Sequence, residues 1–245
     1  KKIEQRMIQN TGDETYSFVI RRDIFKAMEY FEHNKFKTTT ELYNDYVKLH
    51  EDFFKGDNET ALEMLFYNLE KQRNLIELYT NTKPIKEFGT NYAEFYHDGA
   101  GAVQKLLNEA QDYKLRKQAG NLSEAERKQD AYKGQVSGAF YRKELGDIDL
   151  VWGDSKFGLK HILEQRAKQW GEEKALRFVR ALPNMIQEAS ILKGRDNTIE
   201  LITPRSTIIL AKKDDNHFMI TAFRDSGIKK KFEMLDNNQT FHDES

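Results

Sequence analysis

The first hundred residues carry their hydrophobic side chains at helical spacing. Between Asp23 and His33, Ile24, Phe25, Met28 and Phe31 fall on one stripe. Thr38-x-x-Glu41 has the form of a capping box, in which a threonine hydroxyl and a glutamate carboxylate satisfy each other's backbone amides. It opens a segment running through Leu42, Tyr46, Leu49 and Phe53. Asn58 is placed to cap the next helix, whose stripe includes Leu62, Leu65, Phe66, Leu69 and Leu75. A further helix is predicted from about Ile85 to Lys114, with Gly99-Ala-Gly101 as the place for a break. Leucine and aromatic stripes of this kind fill helix-bundle cores.

Residues 115–131 are almost wholly polar around Gly120 and hold a second capping pattern, Ser123-x-x-Glu126. They read as a linker or short exposed helix between a helical region, 1–115, and a second domain, 132–245.

The pattern then changes. Ile148–Trp152 reads as a strand, Gly158–Trp170 as a helix, and Glu172–Ala189 as a second helix bent at Pro183. Strand-like runs follow at Thr198–Ile202, Thr207–Ala211 and Phe218–Phe223, the last two joined through Asp214-Asp215-Asn216 as a hairpin. Helices followed by an antiparallel sheet make an α+β domain.

Charge follows the same division. The chain of 245 residues has a net charge of −1, but it is unevenly spread. Residues 1–131 hold 20 Lys+Arg against 23 Asp+Glu, residues 132–233 hold 19 against 14, and the tail from 234 holds 0 against 3. The middle block is thus basic by five charges, which suits a polyanion and is also within ordinary surface scatter. There is no cysteine, so disulfides, thiolate metal sites and cysteine nucleophiles are excluded. No apolar run approaches the ~20 residues of a membrane span. The chain opens at Lys1 rather than methionine, as a piece of a longer protein would.

Chemistry-bearing motifs are sparse. HExxH, a Walker loop, an EF-hand loop and GxSxG are all missing. Asp147 and Asp149 share one strand face, with Asp154 following, a set that could chelate magnesium or line a solvent-facing edge. His161, after Lys160, lies in the first turn of its helix, where backbone N–H groups attract phosphate and the dipole keeps imidazole neutral. A histidine there can shuttle protons near neutral pH. At ~100° per residue, Arg166 falls on the apolar side of this helix, away from His161. Either the helix starts later than Gly158, or Arg166 anchors it. In a regular hairpin Arg205, Thr207 and Ile209 share one face, and His217, Met219, Thr221 and Phe223 share another. A threonine and an arginine on adjacent strands could hold a phosphate, with Phe223 stacking a base, or Thr221 could be a strand former and Phe223 core.

Four stretches carry a resemblance: FYHDGAGAVQKLL at 95–107, GQVSGAFYRKELGDIDLVWG at 134–153, GLKHILEQR at 158–166 and HFMITAF at 217–223. In order and spacing, residues 95 to about 225 resemble the barnase-like nuclease modules of phage and mobile-element polyproteins, grouped with barnase, RelE, EndoU and the tRNA-cleaving colicins. The resemblance implies helices on a four-stranded antiparallel sheet, and RNA cleavage without metal or other cofactor. It implies His161, Thr221, Arg205 and Arg166 as catalytic or phosphate-holding residues, with Lys160, Phe223 and His217 around the substrate. No catalytic glutamate matches, and Glu164 is a candidate by proximity alone. The implied partners are RNA and a cognate immunity protein, and the implied place of action is a cytoplasm, the producer's or a target cell's. A catalytically inactive RNA- or protein-binding module on the same fold is the alternative.

Overall fold

The structure is a computed structural model that describes residues 17–213 and 216–224. It divides into two compact units, Lys1–Ala139 and Phe140–Ser245. The division falls inside a strand rather than in the polar stretch at 115–131. Asp214 and Asp215 of the expected hairpin turn lie outside the described residues.

The first unit contains helices α1 (Ser17–Asn34), α2 (Thr39–Leu49), α3 (Glu51–Phe54), α4 (Asn58–Thr80), α5 (Gly99–Gln118) and α6 (Glu124–Arg127), with a short strand β1 (Thr90–Asn91). Strand β2 (Gly134–Arg142) starts here, Thr90 and Asn91 pairing in parallel with Gly134 and Gln135. Both capping boxes form, at Thr38/Glu41 and Ser123/Glu126. Asp57, not Asn58, caps α4 through its carboxylate, which accepts from the Thr60 N–H at 3.0 Å. The long helix expected from Ile85 begins only at Gly99. Asp98 caps it there, and a β-carbon at Gly101 would lie 2.5 Å from the Phe95 ring, so the two glycines mark a start, not a break.

Along α4 the buried stripe is Ala61, Leu65, Leu69, Arg73, Ile76 and Thr80, at steps of three and four residues. Leu65, Leu69 and Ile76 meet Ile24, Phe31 and Leu42 in the core. Phe66, Leu49 and Phe53 are exposed, against the expectation that they line it. The unit also buries charge. Arg73 forks onto Glu94 with two hydrogen bonds, at 3.1 and 3.0 Å, and lies over the Tyr92 ring at 4.6 Å. Lys105 and Glu109 pair at 2.8 Å, and Glu109 also accepts from the Thr39 N–H and hydroxyl.

The second unit contains β3 (Gly146–Val151), α7 (Gly158–Trp170), α8 (Glu172–Glu188), β4 (Ser190–Lys193), β5 (Thr198–Ile202), β6 (Ser206–Lys213) and β7 (Asn216–Arg224). This is the α+β class expected, with element positions close to those read from the periodicity. Its strands lie in the order β3-β7-β6-β5-β4. β3 and β7 run parallel and the other pairs antiparallel, so the sheet is mixed rather than antiparallel throughout. Helix α8 continues through Pro183 and buries Ala175, Val179, Leu182 and Ile186 at helical steps. Leu159 and Ile162 of α7 are fully buried, as are Ile208, Leu210, Met219 and Ala222 on the strands.

Candidate functional site

The seven residues from Trp152 to Gly158 form a tightly folded loop between β3 and α7. Gly153 and Gly158 both have positive φ, 73° and 85°. A β-carbon at Gly153 would lie 2.1 Å from the Phe157 carbonyl oxygen, and one at Gly158 2.7 Å from the Trp152 carbonyl oxygen. Only glycine gives both the backbone conformation and the close approach. Inside the loop the Asp154 N–H donates to the Phe157 carbonyl at 3.0 Å, and the Asp154 carboxylate accepts from the Lys156 N–H at 2.6 Å.

His161 is fixed by this loop. Its Nδ1 lies 2.7 Å from the Ser155 carbonyl oxygen. A carbonyl only accepts, so Nδ1 carries the proton and the neutral ring keeps its lone pair on Nε2. His161 is partly exposed. Helix α7 begins at Gly158 with no side-chain cap, and the Lys160 N–H in its first turn donates to the Trp152 carbonyl at 2.8 Å. The Lys160 ammonium stands 3.9 Å from Glu164. Lys160, His161 and Glu164 are spaced to share one flank of the helix.

Because the helix starts at Gly158, the geometric choice left open for Arg166 closes. Arg166 is on the core side with Leu159 and Ile162, 8% exposed, and among the described residues its Nε has no hydrogen-bond partner. Burial without a carboxylate lowers its pKa from the usual arginine value. Its guanidinium lies 5.3 Å from the centre of the Trp170 ring, and that of Arg224 lies 4.8 Å from the same ring.

An irregularity in the β6–β7 hairpin rearranges the remaining residues. Ile209 pairs with Thr221 but Leu210 pairs with Met219, so β7 holds one extra residue at Ile220. The bulge reverses alternation beyond it. His217 and Met219 therefore share a face with Ala222, while Thr221 and Phe223 share the other with Ile209 and Thr207. The single face expected for His217, Met219, Thr221 and Phe223 does not exist. His217 stands opposite Lys212, and burial, then the lysine's charge, lower its pKa.

The parallel register of β3 and β7 places Asp149 level with Phe218. Because the two strands run the same way, β3 leads into the loop that holds His161 at the end of the pair toward which β7 carries Thr221. Arg205 lies in the Thr203–Ser206 turn, exposed, one residue before Ser206, which pairs with Arg224.

Glu200 is a residue that sequence reasoning misses. It pairs with Ile209, which pairs with Thr221, so the three form a row on one face. At the usual strand spacing the Cα atoms of Glu200 and Thr221 are roughly 10 Å apart. The alternation in Thr198–Ile202 is visible in the sequence, but which strand lies beside it is not.

The aspartates are placed differently. Asp149 is buried and accepts from the Asn216 amide, and Asp154 is engaged in its own loop. Among the described residues no three His, Cys, Asp or Glu side chains gather as a metal site would require. No helix among them is long and apolar enough to cross a membrane.

Residues 139–229 match the family model described as phage-Barnase-EndoU-ColicinE5/D-RelE like nuclease1, and the match begins one residue before the second compact unit. Over these residues the chain is similar to nuclease domains of the barnase, EndoU, colicin and RelE type. No curated protein and no solved structure matches the chain.

Proposed function

We propose that this domain is a metal-independent RNA endonuclease that cleaves by internal transesterification. The observation that carries the reading is the loop-locked His161, whose Nδ1–H is held by the Ser155 carbonyl and whose Nε2 is left to exchange a proton.

In the reaction the RNA 2′-oxygen forms a bond to the adjacent phosphorus while the bond from phosphorus to the departing 5′-oxygen breaks. One proton leaves the 2′-hydroxyl for a base and one is delivered to the 5′-oxygen. The products are a 2′,3′-cyclic phosphate and a free 5′-hydroxyl. His161 carries at least one of these protons. Glu200, in the row with Thr221, is assigned as the second proton carrier. The Thr221 hydroxyl and the Arg205 guanidinium hold the phosphate, where charge develops in the transition state. Phe223 and Lys160 contact the flanking nucleotide. Arg166 acts from behind, on Trp170, rather than on the phosphate. His217 belongs to the other face of β7 and is given no role at the phosphate.

The wider role proposed is that of a toxin or effector acting in a cytoplasm and restrained by an immunity protein. Incubating the full chain with total RNA in excess EDTA tests the chemistry. Fragments ending in cyclic phosphate, with DNA left intact, are expected. Cleavage that stops in chelator and returns with magnesium contradicts metal independence, and no cleavage of any RNA moves the reading to a binding module.

A further inference from the structure

A second basic and aromatic cluster lies at the far end of α7. Gly171, with φ 84°, turns the chain sharply from α7 into α8 and leaves Trp170 at the corner. On α8, Lys174, Arg177, Phe178 and Ala181 follow at steps of three, one and three, forming a single stripe. Together with Trp170 and Arg224 they line an open notch of about 480 Å³, within the size range of small-ligand sites. Phe178 meets Trp170 edge-on at 5.4 Å. The indole carries guanidinium groups from both Arg166 and Arg224.

The charge here is unbalanced. Arg177 pairs with Glu173 at 3.0 Å, but among the described residues no carboxylate pairs with Arg166, Lys174 or Arg224. Arg166 lies behind the indole rather than in the lining of the notch; it is more than nine-tenths buried and, among the described residues, its Nε has no partner, so an anion near the indole offsets its charge. A purely apolar ligand would leave these cations unanswered. A bare phosphate would leave the aromatic surface unused. A nucleotide in a single strand satisfies both, its base on the rings and its phosphates on the cations.

We propose that this notch is a second nucleotide-binding subsite of the nuclease unit, stacking one unpaired base on Trp170 and holding the flanking phosphates with Arg224 and Lys174. The proposal rests on RNA being the substrate. Trp170 follows His161 by nine residues, about 13.5 Å along the helix axis and on the opposite side of α7, so a strand reaches both only by passing around the helix. The subsite grips the strand away from the bond being cut and favours long unpaired substrates over short ones.

The test uses the full chain and an oligodeoxythymidylate of about ten nucleotides, which lacks the 2′-hydroxyl and is not cut. The sequence has two tryptophans, Trp152 and Trp170, so Trp152→Phe leaves Trp170 as the only indole reporter. Binding should quench its fluorescence. In the otherwise unaltered chain, the double variant Lys174→Ala/Arg224→Ala replaces two exposed side chains. It should bind a labelled oligonucleotide more weakly, with the slope of log affinity against log salt shallower by about 1.4, or ~0.7 for each phosphate that is no longer neutralised. Trp170→Ala should weaken binding by about five- to hundredfold. Equal affinity and slope in parent and double variant, or an unmoved Trp170 signal, overturns the subsite. If the parent nonetheless cuts RNA, the nuclease reading stands without it. If the oligonucleotide binds at Trp170 but RNA is never cut, the subsite stands and the nuclease reading falls.

Discussion

At the scale of single residues, function depends on which atoms are already committed. His161 has one ring nitrogen engaged by the Ser155 carbonyl, so a substitution that keeps an aromatic ring but lacks that donor should lose orientation as well as proton transfer. Glu200 makes a sharper test, because its assignment comes from strand register alone. Glu200→Gln should lower the rate of RNA cleavage by about 10²–10⁴-fold, the range for a lost acid or base, with little change in melting temperature. A parent-like rate in that variant returns the assignment to Glu164. Thr221→Ala should cost less than either, since it removes a positioning hydroxyl and no proton carrier. His217 supplies a prediction about stability. Its folded pKa lies below the unfolded value near 6.5, so the unfolded chain takes up the proton first. Its contribution is complete above about pH 6.5 and is lost as pH falls toward the folded pKa. Chemical denaturation from pH 7.5 down to pH 5 should show His217→Gln losing less stability than the parent over that window.

At the scale of elements, the Trp152–Gly158 loop is where sequence and site meet. Gly153→Ala puts a β-carbon against the Phe157 carbonyl at a positive-φ position, so the loop must open or strain. Calorimetry should show a lower melting temperature, and cleavage should fall because His161 loses its anchor. An unchanged enzyme would mean the loop does not position the ring. Much of this architecture is legible in the sequence. The helices Gly158–Trp170 and Glu172–Ala189 and four strands of the sheet follow from periodicity, since burial on one face writes a period into the chain. The bulge at Ile220 is not legible, because an unpaired residue in a strand leaves the sequence alternating while the faces exchange. It separates His217 from Thr221. The parallel pairing of β3 with β7 is hidden too, because pairing between strands far apart in sequence leaves no local mark. In the first unit, Arg73, Lys105 and Glu109 read as surface positions until their partners are known. Glu94→Gln leaves Arg73 buried with its counter-charge gone and should cost about 3–5 kcal/mol, measurable by urea unfolding.

At the scale of the whole molecule, the similarity to the nuclease family spans residues 139–229, within the part of the chain that holds the sheet. The basic balance of residues 132–233 suits both a polyanionic substrate and an acidic inhibitor. A neutralising immunity protein should therefore associate more slowly as salt rises, and its footprint by hydrogen exchange should include the His161 loop. A footprint confined to the helical unit would count against direct occlusion. The central claim is that His161 moves a proton during RNA cleavage, and its most direct measurement compares the parent with His161→Ala on one labelled RNA in excess EDTA, with fragment ends identified. The parent should give 2′,3′-cyclic phosphate ends, and the variant, folded as judged by an unchanged melting temperature, should cut about 10²–10⁴-fold more slowly. A variant that cuts as fast as the parent would contradict the account.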